Sequence, residues 1–328
     1  MYIPDSQDIF SIQNQQTFET LALAIFEYQY NNVPVYKKFC NLLGKTPLKV
    51  KTIYDIPFLP IEAFKNHKII TLNASSQIVF ESSGTTNQLN RSKHFVADVE
   101  WYKNSFLNTF IRFYGNINEY CIIALLPSYL EREGSSLIYM CNELIIRSAH
   151  PKSGFYLNEY DKLKATLKLL ETHQQKTLLI GVSFALMDFA ELYNGNPLKN
   201  TIIMETGGMK GRREEITREN LHTTLKKAFG VSVIHSEYGM TECLSQAYAK
   251  KEGIFETPPW MQVFIRETND PFNFVENKVG GINIIDLANV HSCAFIATQD
   301  LGIKKENMFE VLGRFDNSEI RGCNLLIV

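Results

Sequence analysis

No Cys-x-x-Cys pair occurs among the six cysteines, Cys40, Cys121, Cys141, Cys243, Cys293 and Cys323. Their scatter excludes a zinc site of the usual ligand spacing and a disulfide scaffold. An excess of one charge is missing too: 33 Lys and Arg stand against 35 Asp and Glu, a net of −2. That balance excludes a protein that grips nucleic acid by bulk charge. The most apolar stretch, 177–193, is broken by Gly181, Ser183 and Asp188 and falls short of the ~20 apolar residues a membrane span needs. The opening MYIPDSQDIF has neither a positive n-region nor an apolar h-region, so no secretory leader is expected. Internal repeats, low-complexity segments and Gly/Ser-rich linkers are absent. Reduced thiols in a cytoplasmic setting is the expectation.

What is present is ordinary globular usage: 328 residues, 45% hydrophobic and 21% charged. That size allows about two domains, or one large core with an appended lobe, and such a core needs no covalent or metal staple. Apolar residues crowd one helical face over 18–30, and 56–70 is Pro-bounded and irregular. Beyond it, short apolar runs at 77–80, 120–126, 177–180, 201–204 and 231–235 predict strands. Helical patterns at 98–114, 134–148, 160–173, 183–193 and 214–229 lie between them. Alternation of this kind predicts an α/β sheet with mainly parallel strands. After Pro258 the pattern changes to consecutive strands at 263–266, 281–286, 294–298 and 309–312. The expected organisation is an α/β core with a helical N-terminal segment over 1–258, a small β-rich subdomain over 259–312, and a hinge with a terminal strand over 313–328.

Five motifs carry chemistry. Ser82, Ser83, Gly84, Thr85 and Thr86 follow the strand at 77–80. Small hydroxyl residues around a glycine let backbone N–H groups and side-chain donors converge on phosphate oxygens. No Gly-Lys-Ser/Thr follows, so it is not a Walker loop, and a plain polar turn is the bland alternative. Thr206-Gly207-Gly208-Met209 ends the strand at 201–204, where bare backbone can lie against a flat ring. Ser236-Glu237-Tyr238-Gly239-Met240-Thr241-Glu242 follows the strand at 231–235. There Tyr238 can stack on a base while Thr241 and Glu242 reach a phosphate and its Mg2+. The same residues also suit a helix start, with Thr241 as N-cap and Glu242 in the first turn. Asp300, at the expected strand end Ala297-Thr298-Gln299-Asp300, suits a ribose diol or a simple turn. Gly313-Arg314-Phe315-Asp316 alone would be a charged surface hairpin.

In this order and spacing the set resembles the adenylate-forming superfamily of acyl-CoA synthetases, peptide-synthetase adenylation domains and firefly luciferases. The stretch 205–242, ETGGMKGRREEITRENLHTTLKKAFGVSVIHSEYGMTE, is most similar to the phenylacetate–CoA ligase branch. The short length, FLPIEAFK at 58–65, LLPSYLEREGSSL at 125–137 and the RGC at 321–323 point further, to LuxE-type acyl-protein synthetases. The resemblance covers roughly 57–323. It implies an adenylate-forming N-terminal domain, mainly parallel sheets flanked by helices with a small β-rich subdomain, and no C-terminal lid domain. It further implies that Ser82, Ser83, Gly84, Thr85 and Thr86 hold the ATP phosphates. Gly207, Gly208, Tyr238 and Gly239 line the nucleotide pocket, Thr241 and Glu242 handle phosphate and Mg2+, Asp300 and Arg314 bind ribose, and Asp316 sits at the hinge.

The chain departs from the pattern in three ways. Asn87 replaces the glycine that commonly follows the Thr-Thr pair, the usual nearby Pro-Lys is missing, and six residues after Gly322 leave no room for the lid lysine. Adenylation builds charge at a pentavalent phosphorus, so Arg314, Arg91, Lys93 and Mg2+ are the expected sources of compensation, with a partner protein as a further one. The implied reaction is activation of a long-chain fatty carboxylate to acyl-AMP, then transfer to Cys323 and on to an acyl-accepting partner, a reductase or carrier protein. Arg321 would lower the Cys323 thiol pKa. The alternative for Cys323 is a small apolar residue in a terminal strand. Cys40, Cys121, Cys141 and Cys293 are expected in the core, and Cys243, heading a helix, is a weaker second thiol. His94 and His235 are expected as packed or hydrogen-bonded residues near the site. Transfer to CoA or another small acceptor, or a nucleotide-binding scaffold without activity, are the competing functions.

Overall fold

The computed structural model describes residues 3–83, 91–126, 134–208, 213–214 and 216–315. Short helix α1 (Ser6–Phe10) leads to α2 (Gln15–Asn32), whose first turn is capped by Asn14 accepting the Thr17 N–H at 2.9 Å. Phe18, Leu21, Ile25 and Phe26 give α2 its buried face. Pro34, at the first position of α3 (Pro34–Leu42), breaks the two helices apart. Strand β1 (Leu59–Pro60), α4 (Ala63–Asn66) and the antiparallel hairpin β2 (Ile78–Glu81) and β3 (Lys93–Val96) follow. The run at 77–80 is thus a strand, but it pairs only with β3 and forms its own small sheet.

Helix α5 (Val99–Tyr114), capped by Asp98, precedes the main alternation. This runs β4 (Cys121–Leu125), α6 (Ser136–Ser148), β5 (Gly154–Phe155), α7 (Tyr160–Thr172), β6 (Thr177–Val182), α8 (Ser183–Leu192), β7 (Thr201–Thr206), α9 (Arg218–Phe229) and β8 (His235–Tyr238). Strands β5, β4, β6, β7 and β8 are parallel neighbours in that order. All five residues of β4 and all six of β6 are buried, as strands covered on both faces require. Gly230 takes φ 64° after α9, the left-handed position that ends a helix without a Cβ penalty.

Strands β9 (Ala247–Ala249) and β10 (Ile254–Glu256) then turn the sheet antiparallel. Strands β11 (Met261–Arg266), β12 (Gly280–Asp286), β13 (Phe295–Lys305) and β14 (Met308–Arg314) complete it, with β1 alongside β13. The β-rich stretch therefore hydrogen-bonds, through β14 and β10, into one 12-stranded sheet with the parallel strands. A bulge interrupts the β13–β14 register at Leu301/Gly302. Among the described residues no helix is long and apolar enough to cross a membrane.

Two expected boundaries move. The strand predicted at 231–235 begins only at His235, so Ser236, Glu237 and Tyr238 lie within β8 rather than after it. No helix follows YGMTE: residues 241–242 form a turn leading into β9, so Thr241 caps nothing and Cys243 heads no helix.

Candidate active site

The C-terminal ends of β6, β7 and β8 lie side by side, the edge at which open α/β sheets bind ligands. At the end of β7, Gly207 adopts φ 65°, which a side chain rarely tolerates. Its carbonyl accepts from Ser183 Oγ at 2.7 Å, which pins the Gly207-Gly208 backbone to the first residue of α8. Beneath it, buried Glu205 faces Arg218 Nε at 3.4 Å and His222 Nε2 at 3.6 Å. The Thr206 hydroxyl donates to Glu237, tying β7 to β8 just below the site. A Cβ on Gly239 would lie 2.4 Å from Glu237 Oε1 and 3.2 Å from Gln246 Cγ, so a side chain there would displace the Glu237 carboxylate.

Three motifs widely separated in sequence meet beside this edge. The Tyr238 hydroxyl donates to Asp300 Oδ2 at 2.7 Å, and Arg314 Nε donates to Asp300 Oδ1 at 3.0 Å. Asp300 is in mid-strand on β13, not at a strand end, and the β13–β14 register sets it opposite Arg314. Its carboxylate is 6% exposed, while the Arg314 side chain is 79% exposed and free to reach an incoming anion. The Tyr238 ring packs against Phe255 and Phe309 at 5.8 and 5.6 Å. Burial, then the Asp300 charge, push its phenol pKa well up, so it stays a neutral donor.

Glu242 is 5% exposed, and burial raises its carboxyl pKa, opposed by a hydrogen bond from Ser92 and by the Arg314 and Lys65 charges. The Thr241 carbonyl is held by His94 Nδ1 at 3.0 Å and the Glu242 carbonyl by Asn289 Nδ2 at 2.7 Å. Ser92 also closes the hydroxyl-rich loop, as its N–H donates to Ser82 Oγ at 3.0 Å and its carbonyl accepts the Ser82 N–H at 3.0 Å. Ser82 and Ser83 thus stand at the mouth of the β2–β3 hairpin, next to the strand whose flanking Ser92 faces Glu242. Gly84, Thr85, Thr86, Asn87, Asp316, Arg321 and Cys323 lie outside the described residues. The two cations named from the sequence pair with Glu81, Arg91 Nη1 at 3.8 Å and Lys93 Nζ at 3.3 Å.

No group of three His, Cys, Asp or Glu side chains among the described residues forms a metal cage. A single buried carboxylate beside hydroxyls fits Mg2+, which takes one or two carboxylates and completes its octahedron with phosphate oxygens and water. Glu242, with Ser92 and Thr241 near it, would hold such an ion.

The remaining sequence candidates sort by burial. His94 is buried, packs on Phe64 and bridges Thr241 to Ser292, and burial lowers its pKa to about 4. His235 bonds Tyr114 Oη at 3.2 Å and packs on that ring, a structural placement. Burial raises the Cys40 thiol to about 12 and Cys121 to about 11, and pushes Cys141, Cys293 and Cys243 up as well. Cys243 is buried, its thiol pushed up by burial and then by the Asp286 and Glu242 charges. Sequence reasoning missed Ser92, Asp286 and Asn289; the sole signal was the acid ending the apolar run of β12.

No family model matches the chain. The fold is that of adenylate-forming acyl-CoA ligases. A 2-hydroxyisobutyryl-CoA ligase in complex with 2-HIB-AMP and CoA superposes with a TM-score of 0.66 at 13% identity, over 96% of this chain and 73% of that one. ATP-bound MatB from Rhodopseudomonas palustris superposes with a TM-score of 0.53 at 17% identity, over 72% of this chain and 47% of the other. Curated relatives narrow the likeness. The long-chain-fatty-acid–luciferin-component ligase of Vibrio harveyi is 22% identical over 343 residues, 96% of this chain and 88% of the relative. The corresponding ligase of Aliivibrio fischeri is 20% identical over 340 residues, 95% of this chain and 88% of its own length. The resemblance to LuxE-type acyl-protein synthetases extends over nearly the whole chain, not the motifs alone.

Proposed function

We propose that the protein is an ATP-dependent acid–thiol ligase that activates a long-chain fatty carboxylate as acyl-AMP and transfers the acyl group to a protein thiol. The meeting of Tyr238, Asp300 and Arg314 beside the Gly207-Gly208 strand end carries this reading. An acceptor carboxylate, an exposed guanidinium and a bare-backbone ledge suit a ribose, a phosphate and a base in that order.

In the first step a carboxylate oxygen of the fatty acid attacks the α-phosphorus of ATP, the P–O bond to pyrophosphate breaks, and acyl-AMP forms. Asp300 orients the ribose by accepting from its hydroxyls, and Arg314 faces the charge that grows on the phosphate. Bound Mg2+ would supply further neutralisation of phosphate charge from the Glu242 side. In the second step a thiolate sulfur attacks the acyl carbonyl, AMP leaves, and the thiol proton passes to solvent. Cys323 is the proposed thiol. The raised thiols of the five described cysteines support it, because none of them offers a thiolate near neutral pH. A partner reductase or carrier protein would then take the acyl group.

Incubation with radiolabelled fatty acid, ATP and Mg2+ tests the reading. Hydroxylamine-labile label on the wild type but not on Cys323→Ala is the expected result. Label on added CoA with none on the protein would move the acceptor to a small molecule. Absence of fatty-acid-dependent ATP–pyrophosphate exchange, with and without candidate acceptors, would remove the adenylation reading altogether.

A further inference from the structure

The turn carrying Thr241 and Glu242 lies between β8 and β9 with no regular element of its own. Buried side chains from elsewhere grip its peptide groups. Besides the two carbonyls already described, the Leu244 N–H is shared by Asp286 Oδ2 at 2.9 Å and Asn289 Oδ1 at 3.0 Å. Asp286 also accepts the Ser245 N–H at 2.9 Å and the Ser245 hydroxyl at 2.6 Å. Asp286 and Asn289 are both fully buried, Asp286 at the end of β12 and Asn289 in the connector from β12 to β13.

That connector is held in turn by a residue 260 positions upstream. Gln29 Nε2 donates to the Asn289 carbonyl at 2.8 Å and the Val290 carbonyl at 2.9 Å, and its Oε1 accepts the Ala294 N–H at 2.9 Å. Gln29 is fully buried on the otherwise apolar inner face of α2. A primary amide there is costly unless bonded, and both of its N–H donors and its oxygen are committed to this one connector. A leucine would satisfy the packing of α2 equally well. Packing alone therefore does not account for the residue.

We infer that Gln29, Asn289 and Asp286 are positioning residues for Glu242, so that helix α2 sets where the carboxylate meets phosphate and Mg2+. The inference rests on the role proposed above for Glu242 and adds the N-terminal helix to the machinery of the site. None of the three belongs to the motifs assigned to the nucleotide. They act through the backbone of residues 241–245.

Two variants and two readouts test it. Gln29→Leu removes the amide at nearly constant volume, and Asn289→Asp removes both donors while keeping the acceptor. Leu163→Ala, a buried truncation in α7, controls for general loss of stability. Hydrogen exchange followed by mass spectrometry should show the 241–246 amides exchanging roughly tenfold faster in the two variants and unchanged in the control. The Mg2+ concentration giving half-maximal ATP–pyrophosphate exchange should rise about tenfold, the scale of losing an outer partner of a metal ligand. If Asn289→Asp fails to fold, Gln29→Leu decides. Unchanged exchange at 241–246, or a Mg2+ requirement moved no further than in the control, overturns the inference. A wild type that activates no carboxylate defeats the functional reading instead, and the amide exchange still decides whether Gln29 holds the turn.

Discussion

Replacing Asp300 by alanine separates the structural role of its carboxylate, seen in the Tyr238 and Arg314 bonds, from the ribose role proposed for it. In the free protein the variant strands the half-buried Tyr238 hydroxyl, which donates to Asp300 at 2.7 Å. Leaving a buried donor unpaired costs about 1–3 kcal/mol, an upper range for a half-buried one. The second partner, Arg314, is 79% exposed, so that ion pair adds only about 0–1 kcal/mol. At about 1.5 °C per kcal/mol for a chain of this size, thermal unfolding should fall by roughly 1.5–6 °C. On the proposed reading the carboxylate would also accept from the ribose of bound nucleotide, and a hydrogen bond to a charged group contributes about 1.5–3 kcal/mol. Wild-type protein should therefore prefer ATP over 2′,3′-dideoxy-ATP by roughly 10- to 150-fold in kcat/KM for pyrophosphate exchange. Asp300→Ala should abolish that preference and bring the two nucleotides within about threefold of each other. Lost stability alone cannot change a ratio measured on the same folded molecules. A variant that retains the wild-type discrimination would refute the ribose assignment, however much its melting temperature had fallen.

Further outcomes follow from the same contacts. Glu242→Gln should lower Mg2+-dependent exchange at least about 100-fold, by analogy with removal of a transition-state charge partner, and an unchanged rate would take Glu242 out of the site. His94 titrates near 4 when folded and 6.5 when unfolded, so between those values the unfolded chain binds the extra proton and stability is lost as pH falls. The full effect is on the order of 3 kcal/mol. Urea titrations at pH 6.5 and 4 should show it in the wild type and not in His94→Gln; equal losses in both would contradict it. Gly239→Ala forces a Cβ to 2.4 Å from Glu237 Oε1, and should cost about 1–3 kcal/mol in urea midpoint together with most of the exchange activity.

The parallel half of the sheet was legible because its strands are buried on both faces and read as plain apolar runs, as in 120–126 and 177–180. Strand β8 was misplaced for the converse reason. Its residues, His235, Ser236, Glu237 and Tyr238, are polar, while the apolar run just before them is not strand. Tertiary context also defeated the N-cap signal of Thr241. The turn donors that a helix start would have used locally are taken by Asp286 and Asn289, more than 40 residues away, and no local rule registers that contact. Asp300 looked like a strand-end residue because Thr298, Gln299 and Asp300 break the apolar pattern. The strand continues because β14 returns to pair with it through Lys305. The motif order, by contrast, pointed correctly to residues that meet in space, since Tyr238, Asp300 and Arg314 come from three motifs and share hydrogen bonds.

The bulge in the β13–β14 hairpin acts as a vernier for the Asp300–Arg314 pair. Leu301 pairs with Gly313 and Gly302 with Val311, so Leu312 is the surplus residue that advances Arg314 by one place to lie opposite Asp300. Were Leu312 drawn into regular pairing with Leu301, the even ladder would set Gly313 against Asp300 and Arg314 against Gln299. Side chains alternate faces along a strand, so that one-residue slip would carry the guanidinium to the opposite side of the sheet. Deleting Leu312 would instead remove the bulge and leave Arg314 opposite Asp300. The meeting of these two side chains is thus encoded partly as a count of residues.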